Sequence, residues 1–257
     1  MIRQSNMKKY MPKLPFYTIV YILICFYFHW YKETILLFAI ILFHEYAHVI
    51  VAKCLNYEIE GVIVYPFGAM AQIKDYGYHR NIEDLWVAMS GLCSHLFLLT
   101  ITRVFAHFFG THLTNLYIQF NYQILCFNLL PIYPMDGLKI IQCLLSYFID
   151  YLKTLQISIV CSYVSIFLLV RFAFLWQNIF VYSFLFIHTV TYHKNYYYYY
   201  LKFLFSRKDD FKRKPIFHKR KVFYKNKQNY YLKKDEIIDE KTAIKSGFFI
   251  DNRSIWW

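Results

Sequence analysis

The sequence predicts an all-α membrane protein with six transmembrane helices. Hydrophobic residues make up 58% of the chain and aromatic residues 22%. An apolar segment of about 20 residues is long enough to cross a bilayer as a helix. The segments of this kind are Leu14–Trp30, Thr34–Cys54, Leu85–Phe109, Leu113–Tyr133 with an extension to about Phe148, Leu155–Val170, and Phe172–Tyr192.

The basic residues predict how these helices are oriented. Arg3, Lys8, Lys9 and Lys13 precede the first segment, and the region from His193 onward has a large excess of Lys and Arg over Asp and Glu. Because cytoplasmic segments are enriched in Lys and Arg, both termini are predicted to be cytoplasmic. The first segment has no small-x-small cleavage site, so it is interpreted as a retained helix and not as a signal peptide.

The segments outside the helices have simple predicted roles. Residues 1–13 form a cytoplasmic N-terminal segment, residues 14–192 the six-span domain, and residues 193–257 a short basic cytoplasmic tail. Alternation between Ile59 and Ile73 predicts short strands between the second and third helices. The run Tyr196–Tyr200 is typical of an interfacial aromatic belt, with a stacking platform for nucleic acid as the less favoured alternative. The tail shows no convincing strand–helix repeat.

The segment His44-Glu45-Tyr46-Ala47-His48 has the spacing H-E-x-x-H inside an otherwise apolar stretch, Thr34 to Ala52. On a helix, residues four apart lie on one face, so His44 and His48 can both bind one metal ion. Glu45 lies next to the first ligand, where a carboxylate can act on a water at the metal. Because such polar residues are costly in lipid, the pattern favours a metal site over a coincidental pair of core histidines.

A catalytic zinc site needs a third protein ligand and an open position. The metzincin continuation requires Gly at position 51 and His at position 54, whereas the chain has Val51 and Cys54. A downstream glutamate is not favoured either, because none of the later glutamates lies in a predicted helix. Glu58, Glu60 and Glu83 lie in the polar loop after the second helix, and the next glutamate is Glu236 in the tail.

Asp136 is the carboxylate within an otherwise apolar stretch after the H-E-x-x-H helix. It lies in the segment N-L-L-P-I-Y-P-M-D-G, which runs from Asn128 to Gly137. Two prolines and a glycine are expected to break the helix there. Broken backbone at membrane depth is tolerated where it is buried in protein or lines a wet cavity, which is a suitable place for a metal ligand. The alternative role for Asp136 is to cap a cytoplasmic helix after Pro134.

Together, H-E-x-x-H in one helix and N-x-x-P-x-x-x-x-D-G in a later one resemble the site-2-protease family of intramembrane zinc metalloproteases. The six-span plan with cytoplasmic ends is similar to the sporulation branch of that family, and the resemblance covers about residues 14–192. The segment Tyr65-Pro66-Phe67-Gly68-Ala69 resembles the family's P-F-G-G loop, a membrane-dipping β-hairpin, with Ala69 in place of the second glycine. The segment from Ser90 to His95 matches the family's A-G-P-L motif poorly.

The resemblance implies one zinc ion per chain, bound by His44, His48 and Asp136. It implies Glu45 as the general base and Asn128 as a polar contact near the scissile bond. The expected substrate is a membrane-associated protein cut near the cytoplasmic face, such as the precursor of a sporulation sigma factor, with membrane inhibitors or regulatory proteins as further partners. No direct contact with nucleic acid is expected. The nucleotide-sensing domain that usually ends this branch is not predicted, and the tail is interpreted as a remnant, a lipid-binding segment or a substrate-docking segment.

Two other classes of zinc membrane protein remain as alternatives. A metal transporter would not need Glu45 beside the metal, and a lipid amidase would more often use histidines spread over several helices. A catalytically inactive scaffold would tolerate the loss of a ligand, yet all four expected zinc-site residues are present. Of the other histidines, His95 lies deep in the third predicted helix and could hydrogen-bond toward the site.

Overall fold

The computed structural model describes residues 12–65, 68–74, 79–173, 179–206, 214–218, 222–233 and 236–246. The chain divides into two compact units. Unit 1 comprises Met1–Tyr76 and Trp86–Leu129, and unit 2 comprises Gly77–Leu85 and Leu130–Trp257. The N-terminal residues Arg3, Lys8 and Lys9, on which part of the predicted topology depends, lie outside the described residues.

Unit 1 is built around four helices and a small sheet. The helices are α1 (Phe16–Tyr27), α2 (Tyr31–Cys54), α3 (Asn81–Thr100, its first turn belonging to unit 2) and α4 (Thr102–Asn128). The strands are β1 (Pro12–Lys13), β2 (Ile59–Tyr65) and β3 (Gly68–Ile73). Helix α2 carries the H-E-x-x-H motif, and its buried residues Ile40 and Val49 pack in separate apolar clusters.

The end of α2 shows how the chain turns from helix to sheet. Asn56 has a φ of 61°, a left-handed conformation that Asn tolerates better than most residues. The Asn56 N–H donates to Lys53 O at 3.1 Å and the Tyr57 N–H donates to Ala52 O at 2.9 Å. This is the hydrogen-bond pattern of a Schellman motif, which satisfies the last carbonyls of the helix and directs the chain into β2.

The sheet of unit 1 has the order β1-β2-β3, with β1 parallel and β3 antiparallel to β2. The two longer strands lie where alternation predicts them. One face packs on α2, where Ile59 and Val62 contact Val49 in a single cluster. Pro66 and Phe67, at the tip of the hairpin, lie outside the described residues, and its dipping into the membrane stays a prediction.

Helices α3 and α4 differ in their boundaries from the predicted spans. The predicted third span ran to Phe109, but α3 ends at Thr100 and α4 begins at Thr102. The predicted break near Gly110 appears as a non-helical residue inside α4, with a φ of 73°. Glycine suits this position because a Cβ atom disfavours positive φ.

Unit 2 begins with irregular backbone from Leu130 to Met135, in the segment where two prolines predict a break. Helices α5 (Asp136–Leu145), α6 (Tyr151–Ala173) and α7 (Ile179–Ser206) follow. The tyrosine run Tyr196–Tyr200 continues helix α7. Tyr200 is buried in an aromatic cluster with Tyr151 and Phe203.

The tail corrects the all-α prediction. Strands β4 (Lys214–His218), β5 (Lys227–Lys233) and β6 (Glu236–Asp239) form a second sheet, and helix α8 (Glu240–Lys245) follows. Strand β4 pairs parallel to β5, and β6 pairs antiparallel to it. These strands were missed because their sequences are polar and aromatic and show little apolar alternation. Phe223 and Tyr231 nevertheless join the core of unit 2.

Among the described residues, three helices are long and apolar enough to cross a membrane: Tyr31–Cys54, Asn81–Thr100 and Tyr151–Arg171. These helices support a membrane protein. The full number of six spans and the cytoplasmic placement of both termini stay predictions.

Candidate metal centre

The two histidines of the H-E-x-x-H motif lie side by side on one face of α2. His44 and His48 are 2% and 4% exposed, and their Nε2 atoms are 3.2 Å apart. Two nitrogens bound to one tetrahedral zinc ion, each about 2.1 Å from the metal, would be about 3.4 Å apart. The observed separation therefore fits two Nε2 ligands on a single ion.

His48 is held in its orientation by helix α3. Its Nδ1 lies 2.7 Å from the carbonyl oxygen of Val87, which can only accept, so Nδ1 carries the proton. The Nε2 atom then has the lone pair that a metal requires. The Ser90 hydroxyl donates to the same carbonyl at 2.6 Å and fixes its position further.

Gly91 allows α3 to approach the histidine pair. A Cβ atom at this position would lie 2.4 Å from His48 Nε2 and 2.5 Å from His44 Cε1. Such distances are far shorter than ordinary van der Waals contact, so a side chain here would occupy the space of the imidazoles. The sequence motif around Gly91 matches its expected form poorly, yet the glycine itself has a clear steric role.

His95 and Asn121 form a second buried polar pair beside His44. The His95 ring centroid lies 4.9 Å from that of His44, and both His95 and Asn121 are fully buried. His95 Nδ1 lies 2.6 Å from Asn121 Oδ1, and Asn121 Nδ2 donates to the backbone oxygen of His95 at 3.0 Å. The sequence pointed to His95 but not to Asn121. The only sequence signal for Asn121 was its position seven residues before Asn128, which places both residues on one face of the helix.

The Glu45 carboxylate lies next to the two histidines. It is 8% exposed, and its Oε2 accepts a hydrogen bond from the Ala71 N–H of β3 at 2.7 Å. Its Oε1 lies 3.9 Å from His44 Nε2. One oxygen is thus fixed by the sheet, while the other lies close to the histidine nitrogens.

Asp136 is the first residue of α5 and is 2% exposed. Its predicted role as the third metal ligand, beside His44 and His48, stays a prediction. Two imidazoles and one carboxylate are a donor set that zinc prefers, with a fourth position left for water or substrate. The donors therefore fit zinc.

Asn128 is the last residue of α4 and is half-buried. Its side-chain nitrogen donates to the carbonyl oxygen of Ile124 at 3.1 Å, one helical turn earlier. This bond occupies one of the two donors of the amide group. The predicted contact between Asn128 and a substrate stays a prediction.

The helices, the small sheet and the buried histidine pair define a class of protein, the site-2-protease-type membrane fold. A solved structure, the site-2 protease from Methanocaldococcus jannaschii, matches with a TM-score of 0.57 and 23% sequence identity. The match covers 74% of this chain and 94% of that chain. At this level of identity, the likeness concerns the fold.

Two curated relatives are similar in sequence. Stage IV sporulation protein FB of Bacillus subtilis (strain 168) is 29% identical over 133 residues, 51% of this chain and 46% of the relative. A zinc metalloprotease of Methanocaldococcus jannaschii is 27% identical over 134 residues, 50% of this chain and 39% of the relative. The chain thus spans less than half the length of either relative. No protein-family model matches the chain. The predicted resemblance to the site-2-protease family is confirmed by these relatives and by the fold.

Proposed function

We propose that this protein is an intramembrane zinc metalloprotease that hydrolyses a peptide bond of a membrane-associated protein near the cytoplasmic face. The observation that carries the proposal is the buried pair of His44 and His48, whose Nε2 atoms are 3.2 Å apart, with Glu45 adjacent to the first histidine. The relatives support the metalloprotease class and a membrane location.

In this proposal, His44, His48 and Asp136 bind one zinc ion per chain. The ion would supply a Lewis acid that polarises the scissile carbonyl and makes water a nucleophile near neutral pH. The protein restricts the orientation of these ligands. Val87 O fixes the tautomer of His48, and the backbone of α3 at Gly91 packs closely against both imidazoles.

Glu45 acts as the general base and then as the general acid. It takes a proton from the attacking water and returns it to the leaving amine as the peptide bond breaks. The hydrogen bond from Ala71 N to Oε2 holds the carboxylate so that Oε1 is directed toward the histidines. Because a fixed carboxylate loses little entropy during the reaction, this restraint favours proton transfer.

Asn128 is proposed to donate a hydrogen bond to the oxyanion that develops on the scissile carbonyl. One amide donor is already used by Ile124 O, which leaves the second N–H of the group for the substrate. A donor of this kind is typically worth about 10²–10³ in rate.

The substrate is proposed to bind as an added strand along β3. This strand lies at the edge of the order β1-β2-β3, and the Ala71 N–H points away from β2 to reach Glu45. Strand addition would unwind a helical substrate and expose its peptide bond, using backbone hydrogen bonds that do not depend on sequence. The base is bound to the same strand, so the added strand would lie beside the catalytic carboxylate.

The similarity to a sporulation protein supports a more specific proposal, in which the substrate is the precursor of a sporulation sigma factor. Membrane inhibitors or regulatory proteins would then control cleavage. The alternative of a zinc-dependent lipid amidase or metal transporter is less favoured, because a carboxylate restrained beside the metal ligands serves hydrolysis and not transport.

The test is co-expression with candidate membrane-associated substrates, comparing the wild type with Glu45→Gln. Cleavage should fall about 10²–10⁴-fold, because the proton transfer loses its carboxylate. Zinc content should be retained, since Glu45 is not a proposed ligand. Glu33→Gln, a second carboxylate on α2, is the matched control and should cleave normally. Near wild-type cleavage by the Glu45 variant would remove the proposed mechanism.

A further inference from the structure

The metal-ligand candidate Asp136 has a charged partner of its own. Lys139 lies three residues later on α5, and its Nζ donates to Asp136 Oδ1 at 2.9 Å. The Asp136 side chain is 3% exposed, whereas the Lys139 side chain is 34% exposed. The motif from Asn128 to Gly137 ends before Lys139, and the contact depends on where α5 starts.

The start of α5 favours this contact. Asp136 occupies the first helical position, where the positive end of the helix dipole stabilises a carboxylate. Residues three apart lie on one face of a helix, so the Lys139 chain can reach back to the same turn. Its partial exposure lets the aliphatic stem cover buried surface while the ammonium keeps some contact with water.

The pair differs from an ordinary surface ion pair in one respect. Exposed pairs usually contribute about 0–1 kcal/mol, since water competes for both charges. Here the carboxylate is buried, so water competes poorly for it, and the ammonium restricts the rotation of the carboxylate about its bond to Cβ. Lys139 thereby holds the Oδ1 atom of this carboxylate.

We propose that Lys139 is a positioning residue, which holds the Asp136 carboxylate by Oδ1 in the orientation in which it binds the metal. This inference rests on the proposed zinc site. Partners that orient metal ligands typically change metal affinity about 10–100-fold when they are removed. In the opposite role, the Lys139 ammonium would compete with the metal for the Asp136 carboxylate, and removal of the lysine would strengthen metal binding.

The experiment compares the zinc dissociation constants of detergent-purified wild type, Lys139→Met and Lys139→Arg, measured by competition with a chelator. Lys194→Met is the matched control, because it removes the same charge from an exposed position of α7 in the same unit. The visible spectrum of the Co²⁺-substituted protein reports the ligand geometry independently of activity. Thermal unfolding shows whether each variant is folded, and Lys139→Gln replaces Lys139→Met if that variant is not.

We expect Lys139→Met to bind zinc about 10–100-fold more weakly and to change the Co²⁺ spectrum. Lys139→Arg should restore most of the affinity, and Lys194→Met should match the wild type. Affinity and spectrum unchanged in Lys139→Met, or tighter zinc binding, would overturn the positioning role while leaving the proposed function intact. A wild type that binds no zinc would overturn both.

Discussion

The protein has two clusters of buried polar side chains, and the side chains of the two clusters have different kinds of neighbours. In unit 1, His44, His48 and Glu45 each contact a backbone group or an aromatic ring. The two Nε2 atoms are 3.2 Å apart, and Glu45 Oε1 lies 3.9 Å from His44 Nε2. In unit 2, Lys225 Nζ lies 2.5 Å from Asp84 Oδ2, with the two side chains 5% and 1% exposed. The groups of the first cluster are arranged as metal ligands and a base would be. In the second cluster, the charge of the lysine neutralises the charge of the aspartate.

The pair in unit 2 shows what a purely structural buried cluster looks like. The Lys225 ammonium lies 5.7 Å from the centroids of both the Tyr151 and Phe203 rings. Nearby, Asp150 Oδ1 accepts from the Phe223 N–H at 2.7 Å, and the Tyr151 N–H donates to Phe223 O at 2.9 Å. The tail is therefore bound to the starts of α3 and α6 by charge, by backbone and by aromatic packing. Burial of polar groups alone does not identify a catalytic site.

The largest expected effect tests the first cluster. The double variant His44→Ala, His48→Ala should lose zinc and all detectable cleavage, because two of three proposed ligands are removed. Zinc per chain is measured on detergent-purified protein by atomic absorption. A matched double variant at two exposed histidines of α4, His107→Ala with His112→Ala, should keep full zinc occupancy. Zinc retained in the first variant would show that these histidines are not the ligands.

Gly91→Ala should weaken zinc binding without removing any ligand. The new Cβ atom would lie 2.4 Å from His48 Nε2, so either the imidazoles or helix α3 must shift. A displacement of this size is expected to reduce zinc affinity at least about 10-fold, comparable to the loss of a partner that orients a ligand. Gly68→Ala is the control, since a Cβ atom there meets no atom within 4 Å. Equal zinc affinity in both variants would contradict the steric role.

Lys225→Met tests the second cluster and should affect stability and not zinc. The substitution removes the Lys225 ammonium from the buried Asp84 carboxylate, and breaking a buried ion pair in this way typically costs about 3–5 kcal/mol. The double variant Asp84→Leu, Lys225→Met should recover most of this loss, and the exposed Lys245→Met should have little effect. Thermal unfolding and zinc content are measured together. If the single and double variants lose the same stability, the two charges are not coupled.

The smallest expected effect concerns Asp150. Burial raises the pKa of Asp150, although backbone hydrogen bonds oppose the shift. Because the pKa of Asp150 is higher in the folded than in the unfolded state, the protonated carboxyl stabilises the fold. This contribution is fully present below the unfolded pKa of about 3.9 and is lost as pH rises through the folded pKa. Asp150→Asn keeps the acceptor for Phe223 N and removes the charge, so it should cost about 1 kcal/mol or less at neutral pH. Relative to the wild type, this variant should become more stable as pH rises from 4 to 7, measured by thermal unfolding. The opposite slope would contradict the raised pKa.

The parts of the site that could be predicted are local in sequence. The H-E-x-x-H spacing places His44 and His48 on one helix face whatever the surrounding fold, whereas Asp136 is a proposed ligand only through the resemblance of the Asn128 to Gly137 motif to a family. Val87 and Ala71 act through backbone atoms, which carry no residue signature at all. Gly91 and Asn121 matter because of how closely helices approach, and a single sequence does not encode that approach in any local pattern.

The fold shows a similar division. The hairpin strands were predicted because apolar residues alternate between Ile59 and Ile73. In β5, by contrast, Lys227, Gln228 and Asn229 precede the tyrosines, and the core position is taken by Tyr231. Asn229 is fully buried and bonds the backbone of Tyr224 and Lys227. A polar residue within a basic segment is expected to be exposed to solvent, so the sequence did not predict the second sheet.

The way the tail is packed has a practical consequence for anyone who shortens the chain. A version ending after α7 would remove the cation that neutralises Asp84 and the ring of Phe223 that packs against Phe203. The remaining helices would gain an apolar, acidic surface at the starts of α3 and α6 and would tend to aggregate after extraction into detergent. Purification tags are therefore better attached beyond Lys245 than used to replace the tail, and a failure of the shortened chain to express would say nothing about its zinc site.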